Sequence, residues 1–149
     1  MLEVAPLLRK LILHILTIGM LAPEHPEHHR IAGLLIDLML AARHEDLMLP
    51  LPRDARAMRL AERWRQIPGD SQDLAALAME VGASLRTLRL FPNATGLTIE
   101  EWRQKARTIH AIGRLAAGVS VTDTALHCGY QSPAAFTRQF GVSPGRYRV

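Results

Sequence analysis

One short pattern occurs twice in this chain. Residues 78–91 read AMEVGASLRTLRLF and residues 125–140 read ALHCGYQSPAAFTRQF. Ala78 pairs with Ala125, Gly82 with Gly129, Ser84 with Ser132, Leu88 with Phe136 and Phe91 with Phe140. Each copy is a small residue, a glycine four later, a capping serine, then an apolar-spaced run carrying arginine. That order predicts a helix-turn-helix: a packing helix, a glycine turn and a second helix free to enter a DNA groove. Two copies imply two reading heads at a separation set by what joins them.

The joining segment is itself legible. Thr98 and Glu101 have capping-box spacing, which starts a helix expected over Ile99–Ala117. At 1.5 Å per residue it spans on the order of 28 Å, near the ~34 Å of one DNA turn. The two heads could thus meet successive major grooves. In the second head Ser132 is an N-cap and Pro133 fits the first helical position. Phe136 and Phe140 should face inward and leave Thr137 and Arg138 outward, with Ala134 able at most to touch a thymine methyl. In the first head Leu88 and Phe91 should face inward, leaving Arg86, Thr87 and Arg89 exposed. Comparing the copies also shows one residue fewer between Leu88 and Phe91 than between Phe136 and Phe140. One residue is about 100° of helix, so either Arg89 or Phe91 is expected in register, but not both. Pro92 is expected to weaken the end of this helix.

Upstream, residues 2–22 and 30–43 read as two apolar helices joined by the turn Pro23–His29, the second with a stripe of Ile31, Leu34, Leu35, Leu38 and Met39. Two such helices cannot bury all their apolar surface against each other, so a partner surface is expected. Leu-Pro-Leu-Pro-Arg-Asp at 49–54 reads as a stiff extended linker, with Asp54 capping a helix from Ala55 to about Gln66. Pro68-Gly69-Asp70 ends that helix. The division expected is an N-terminal hairpin over 1–48, a Pro-rich linker over 49–53 and a double helix-turn-helix domain over 54–149.

Composition agrees with an all-α chain. Of 149 residues, 48% are hydrophobic and only 5% aromatic, and no run alternates β-branched residues with period two. Residues 1–83 hold nine Lys and Arg against eleven Asp and Glu, a balance of −2, and residues 84–149 hold nine against three, a balance of +6. That asymmetry points the C-terminal half toward a polyanion, most simply nucleic acid. The single cysteine, Cys128, excludes an intrachain disulfide and fits a reducing cytosol, as a small core residue beside the turn glycine. Arg9 and Lys10 before the apolar run Leu11–Ala22 mimic a signal peptide. His14 interrupts that run, no cleavage site follows it, and it is too short to span a bilayer. A packed helix in a cytoplasmic protein is expected, with no membrane partner. His25, His28 and His29 lack the spacing of a helical zinc motif, so a solvated turn is expected and no metal or other cofactor. Trp64 and Trp102 are expected in the core. No phosphate loop, nucleophile elbow or carboxylate pair supports an enzyme.

Residues 70–149 resemble the DNA-binding half of the AraC/XylS family of bacterial transcription regulators. The likeness is carried by LAALAMEVGASLRTL, TGLTIEEWRQKAR, LAAGVSVTDTALHCGYQSPAAF and the closing GVSPGRYR, while LPLPRD resembles the segment before that domain in members with an N-terminal cupin sensor. The resemblance implies two helix-turn-helix subdomains on one long helix, each second helix entering the major groove, and recruitment of RNA polymerase. It implies DNA contacts from Ser84, Arg86, Thr87 and Arg89 in the first head and from Ser132, Ala134, Thr137 and Arg138 in the second. The N-terminal hairpin is expected to be the tail that follows the cupin sensor, itself missing. The expected function is sequence-specific DNA binding. The alternative is a truncated, weakly or non-DNA-binding helical interaction module, dominant-negative or decayed, whose apolar N-terminal helices pair with a full-length relative or with themselves.

Overall fold

The computed structural model describes residues 6–41 and 48–139. All regular structure among them is helical: α1 (Pro6–Ile18), α2 (Pro26–Ala41), α3 (Ala55–Gln66), α4 (Leu74–Glu80), α5 (Leu85–Thr95), α6 (Ile99–Ala116), α7 (Val121–His127) and α8 (Pro133–Gln139). Two compact units are formed, one from Met1–Met48 with Ala111–Val149, the other from Leu49–His110. The sequence reading set the hairpin apart from both heads, whereas here it shares a unit with the second. No described helix is long and apolar enough to cross a membrane.

In the Leu49–His110 unit, α3 starts where its sequence predicts, because the Asp54 carboxylate accepts from the Arg56 and Ala57 N–H groups at 2.9 and 3.0 Å. Its buried stripe of Ala57, Leu60, Ala61 and Trp64 meets Leu77 and Ala78 of α4, Leu88 and Phe91 of α5, and Trp102 and Ala106 of α6. Three aromatic rings form the centre: Phe91 lies edge-on to Trp102 at 5.7 Å and to Trp64 at 6.1 Å. Both tryptophans are core residues, as expected. The 49–53 segment has no regular structure and is not free. Leu49 packs on this core, and the Trp102 indole donates to the Pro50 carbonyl at 2.6 Å.

The loop between α3 and α4 is held by arginines. Arg63 pairs with Asp70 at 2.9 Å, Arg103 donates to the Asp70 carbonyl at 2.6 Å, and Arg107 donates to the Pro68 carbonyl at 3.0 Å. The Arg103 guanidinium also lies 5.1 Å from the Trp64 ring. Burial, then the neighbouring Arg107 charge, lowers the Arg103 pKa. Burial alone would raise the Asp70 carboxyl, but the Gln72 N–H and the Arg63 guanidinium outweigh it and hold it below its ordinary value.

In the other unit, α1 buries Leu8, Ile12 and Ile15 on one stripe and packs against α2. The hairpin boundaries differ from those read in sequence. Helix α1 stops at Ile18, where Gly19 takes φ +88°, and α2 begins at Pro26, so His28 and His29 are helical rather than in the turn. Proline suits the first helical position and glycine the left-handed stop. The histidines organise the turn: the His28 imidazole Nδ1 accepts from the Ala22 N–H at 3.0 Å, and the His25 and His28 rings lie 5.0 Å apart. On α2 only Leu35 is fully buried, while Leu34, Ile36 and Leu40 stay exposed. Residues 42–43 of the expected second helix, Phe140 and the closing GVSPGRYR lie outside the described residues.

Candidate nucleic-acid interface

The repeat is realised bond for bond. In the first copy the Ala83 N–H reaches the Ala78 carbonyl at 2.7 Å and the Gly82 N–H reaches Met79 at 3.1 Å. In the second, Tyr130 reaches Ala125 at 2.9 Å and Gly129 reaches Leu126 at 3.0 Å. Both glycines are left-handed, with φ +71° at Gly82 and +83° at Gly129. This pair of bonds is the Schellman closure of a helix, and it needs a residue without a Cβ at the turn. Cys128, next to Gly129, is buried.

After each turn a serine starts the reading helix. Ser84 Oγ accepts from the Thr87 N–H at 3.2 Å, and Ser132 Oγ accepts from the Ala135 N–H at 3.1 Å. Each serine therefore satisfies one N–H of its own helix N-terminus. Pro133 occupies the first position of α8, as expected.

On α5 the exposed face carries Arg86 and Arg89, one turn apart. Leu88 is 9% and Phe91 0% exposed, so both anchors face inward. The expected conflict between Arg89 and Phe91 does not arise, because positions three and four apart share one helical face. One further expectation is corrected. Thr87 is 5% exposed rather than outward-facing, with its hydroxyl 3.2 Å from Ser84 Oγ; it precedes Leu88 and falls four before Phe91, on the inner face. Helix α5 continues past Pro92 to Thr95. There the Thr95 hydroxyl donates to the Phe91 carbonyl at 2.8 Å, and Gly96, at φ +73°, donates to the Pro92 carbonyl at 2.7 Å.

On α8, Ala134 and Arg138 are exposed and Thr137 is half-buried, its hydroxyl donating to the Pro133 carbonyl at 2.9 Å. Phe136 is buried, with the Tyr130 ring edge-on at 5.3 Å. Sequence reasoning missed Leu85, which stands exposed at the first position of α5. The alignment of the copies held the signal, since it sets Leu85 opposite Pro133.

The linker helix begins on the capping box read in sequence. The Thr98 N–H donates to the Glu101 carboxylate at 2.8 Å, and the Glu101 N–H donates to Thr98 Oγ1 at 3.2 Å. The bond from the Thr98 N–H, first, holds the Glu101 carboxyl below its ordinary value. Trp102 and Ala106 of α6 are buried in the first unit described, and Ala111, Ile112 and Leu115 in the other. Arg103 and Arg107 serve the loop at Pro68–Asp70, so part of the basic charge of the C-terminal half is structural. Arg86, Arg89 and Arg138 are the outward-facing cations on the reading helices.

A family of helix-turn-helix domains matches residues 77–149. The chain is 30% identical to the HTH-type transcriptional regulator NimR of Escherichia coli, over 98% of this chain and 55% of that protein. It is 35% identical to the HTH-type transcriptional regulator RipA of Corynebacterium glutamicum, over 66% of this chain and 31% of that one. With the HTH-type transcriptional activator RhaS of Escherichia coli O157:H7 it shares 32% identity over 74% of this chain and 42% of that protein. The chain thus spans between about a third and just over half the length of these relatives. No solved structure gives a significant match.

Proposed function

Because the chain belongs to the AraC family of helix-turn-helix transcription regulators, through its C-terminal DNA-binding domain, we propose that residues 54–149 place two reading helices in neighbouring major grooves of one duplex. The observation that carries this reading is the duplicated turn, followed each time by a serine-capped helix with arginine on its outer face. Arg86 and Arg89 on α5 and Arg138 on α8 take guanine edges or phosphates. The N-termini of α5 and α8 face the backbone, and Leu85 and Ala134 meet thymine methyls. Thr87 and Thr137 act by shaping their helices, since one is buried and the other bonds its own helix. The 18 residues of α6, about 27 Å of helix, lie between the two heads along the chain. Bound beside a promoter, the domain positions RNA polymerase, and the relatives' names as regulators and activators support that role.

Fluorescence anisotropy on promoter DNA at several salt concentrations tests this. The logarithm of the binding constant should fall against log salt with a slope of about −0.9 per phosphate neutralised. Absence of salt-sensitive binding at micromolar protein would refute the reading.

A second reading rests on the apolar side chains that α2 leaves exposed, Leu34, Ile36 and Leu40, of which Ile36 and Leu40 lie one turn apart on one face. A surface of this kind suits self-association through the N-terminal helices. Light scattering decides it: a concentration-dependent dimer supports this reading, and a monomer at all concentrations removes it.

A further inference from the structure

The hairpin and the second head share more than proximity within their unit. Helix α7 begins at Val121, and a first-turn N–H has no acceptor inside its own helix. Ser120 Oγ takes the Asp123 N–H at 3.0 Å. The Val121 N–H is satisfied from a distant part of the chain, by the Gly19 carbonyl at 2.7 Å. Beside it the backbone closes tightly. A Cβ on Gly118 would lie 2.8 Å from the Leu21 carbonyl oxygen, and Gly118 also has φ +82°. Leu21, Ala22 and Val121 are all buried at this seam. The Gly19–Ala22 turn is fixed in its own right, by the Gly19 N–H on the Ile15 carbonyl and by His28 on the Ala22 N–H.

We propose that the turn of the N-terminal hairpin is a brace for the second reading head, with Gly19, Leu21 and Gly118 as positioning residues for DNA binding. Through Val121 it fixes the start of α7, and α7 packs on α8, the reading helix. The first head, in the other unit, has no part in this brace. A segment outside the helix-turn-helix repeat thereby governs how well one head holds its groove. The functional half of this inference rests on the DNA-reading role proposed above; the brace itself does not.

The test exploits the place of Val121 at the first helical position, where proline is tolerated. Ser120, at φ −61° and ψ 151°, already has the conformation that proline demands of its predecessor. Val121→Pro therefore removes the donor and keeps the helix, while Val121→Ala removes side-chain packing and keeps the donor. In the wild-type chain, amide exchange of Val121 should be about tenfold slower or more than that of Thr122, since only the former is bonded to the hairpin. In Val121→Pro, exchange in α7, α8 and the Gly19–Ala22 turn should speed up beyond that in Val121→Ala, with α4 and α5 unchanged. Equal exchange at Val121 and Thr122 in the wild type, or equal effects of the two substitutions, would overturn the brace. Should Val121→Pro fail to fold, the wild-type comparison and Gly118→Ala decide in its place, the latter expected to speed exchange in the same segments. On duplex selected from random sequence by the wild-type chain, the Val121→Pro footprint should lose one of two protected segments and Val121→Ala should keep both. Loss of both segments together would refute the positioning role. If the wild type selects no DNA, the DNA-reading proposal fails while the exchange result still judges the brace.

Discussion

Phe91 sits fully buried between Trp64 and Trp102, and its backbone carbonyl also receives the Thr95 hydroxyl. Truncating it empties the centre of the first head, and Phe91→Ala should cost about 3–5 kcal/mol in urea unfolding. Two glycines make a sharper comparison. Gly82 has positive φ but nothing within 4 Å of an added Cβ, so Gly82→Ala should cost only the backbone strain, about 1–2 kcal/mol. Gly118 has the same kind of φ and a carbonyl oxygen 2.8 Å from that Cβ, so Gly118→Ala should lower the melting temperature further. Gly82 and Gly129 could be read from sequence because each precedes a capping serine in a repeated pattern. Gly118 could not, because its constraint is a backbone 97 positions away at Leu21. Thr87 was misread for a related reason. With one residue fewer between the anchors, the inner face of α5 widens to include the residue before Leu88.

At the scale of elements, most helix starts were legible because their caps are local. Asp54, Ser84, Thr98 with Glu101, and Ser132 all make the bonds their spacing implies. Removing a serine cap, as in Ser84→Ala, should destabilise the Leu49–His110 unit by about 1 kcal/mol by the same urea measurement. Helix α5 continues past Pro92, because burial of Phe91 and the Thr95–Gly96 closure outweigh the hydrogen bond that Pro92 cannot donate. Pro92→Ala restores an N–H facing the Leu88 carbonyl and should raise stability by about 1–3 kcal/mol. No gain would show that the chain before Gly96 needs the proline. The caps also set a pH dependence. Backbone N–H donors hold Asp54 and Glu101 below their ordinary values of 3.8 and 4.5. A carboxyl whose pKa is depressed on folding stabilises fully above its unfolded value and loses that contribution as pH falls through the folded one. The contribution of these two carboxyls to thermal stability should therefore be constant down to about pH 5 and fall below about pH 4. In Asp54→Asn the fall should be shallower.

For the molecule as a whole, the sequence carried the ancestry and the division of labour between charge and core, but not the long-range ties. The linker pinned by Trp102 to Pro50, the arginines committed to the Pro68–Asp70 loop, and the hairpin bonded to Val121 all join residues far apart in the chain. No periodicity or cap encodes such pairs. They matter because they reduce the charge available to DNA and fasten the hairpin to one head. The central claim is that two heads read one face of the duplex together, and a spacing series measures it most directly. With a selected site in hand, affinity is measured after inserting five and then ten base pairs between the two protected segments. Five base pairs rotate one segment by about half a turn, to the opposite face of the helix, and ten move it about 34 Å along the same face. If the two heads read neighbouring grooves as proposed, tight binding should be lost on both duplexes, each falling to the affinity of a single half-site. Undiminished affinity after the five-base-pair insertion would contradict the account.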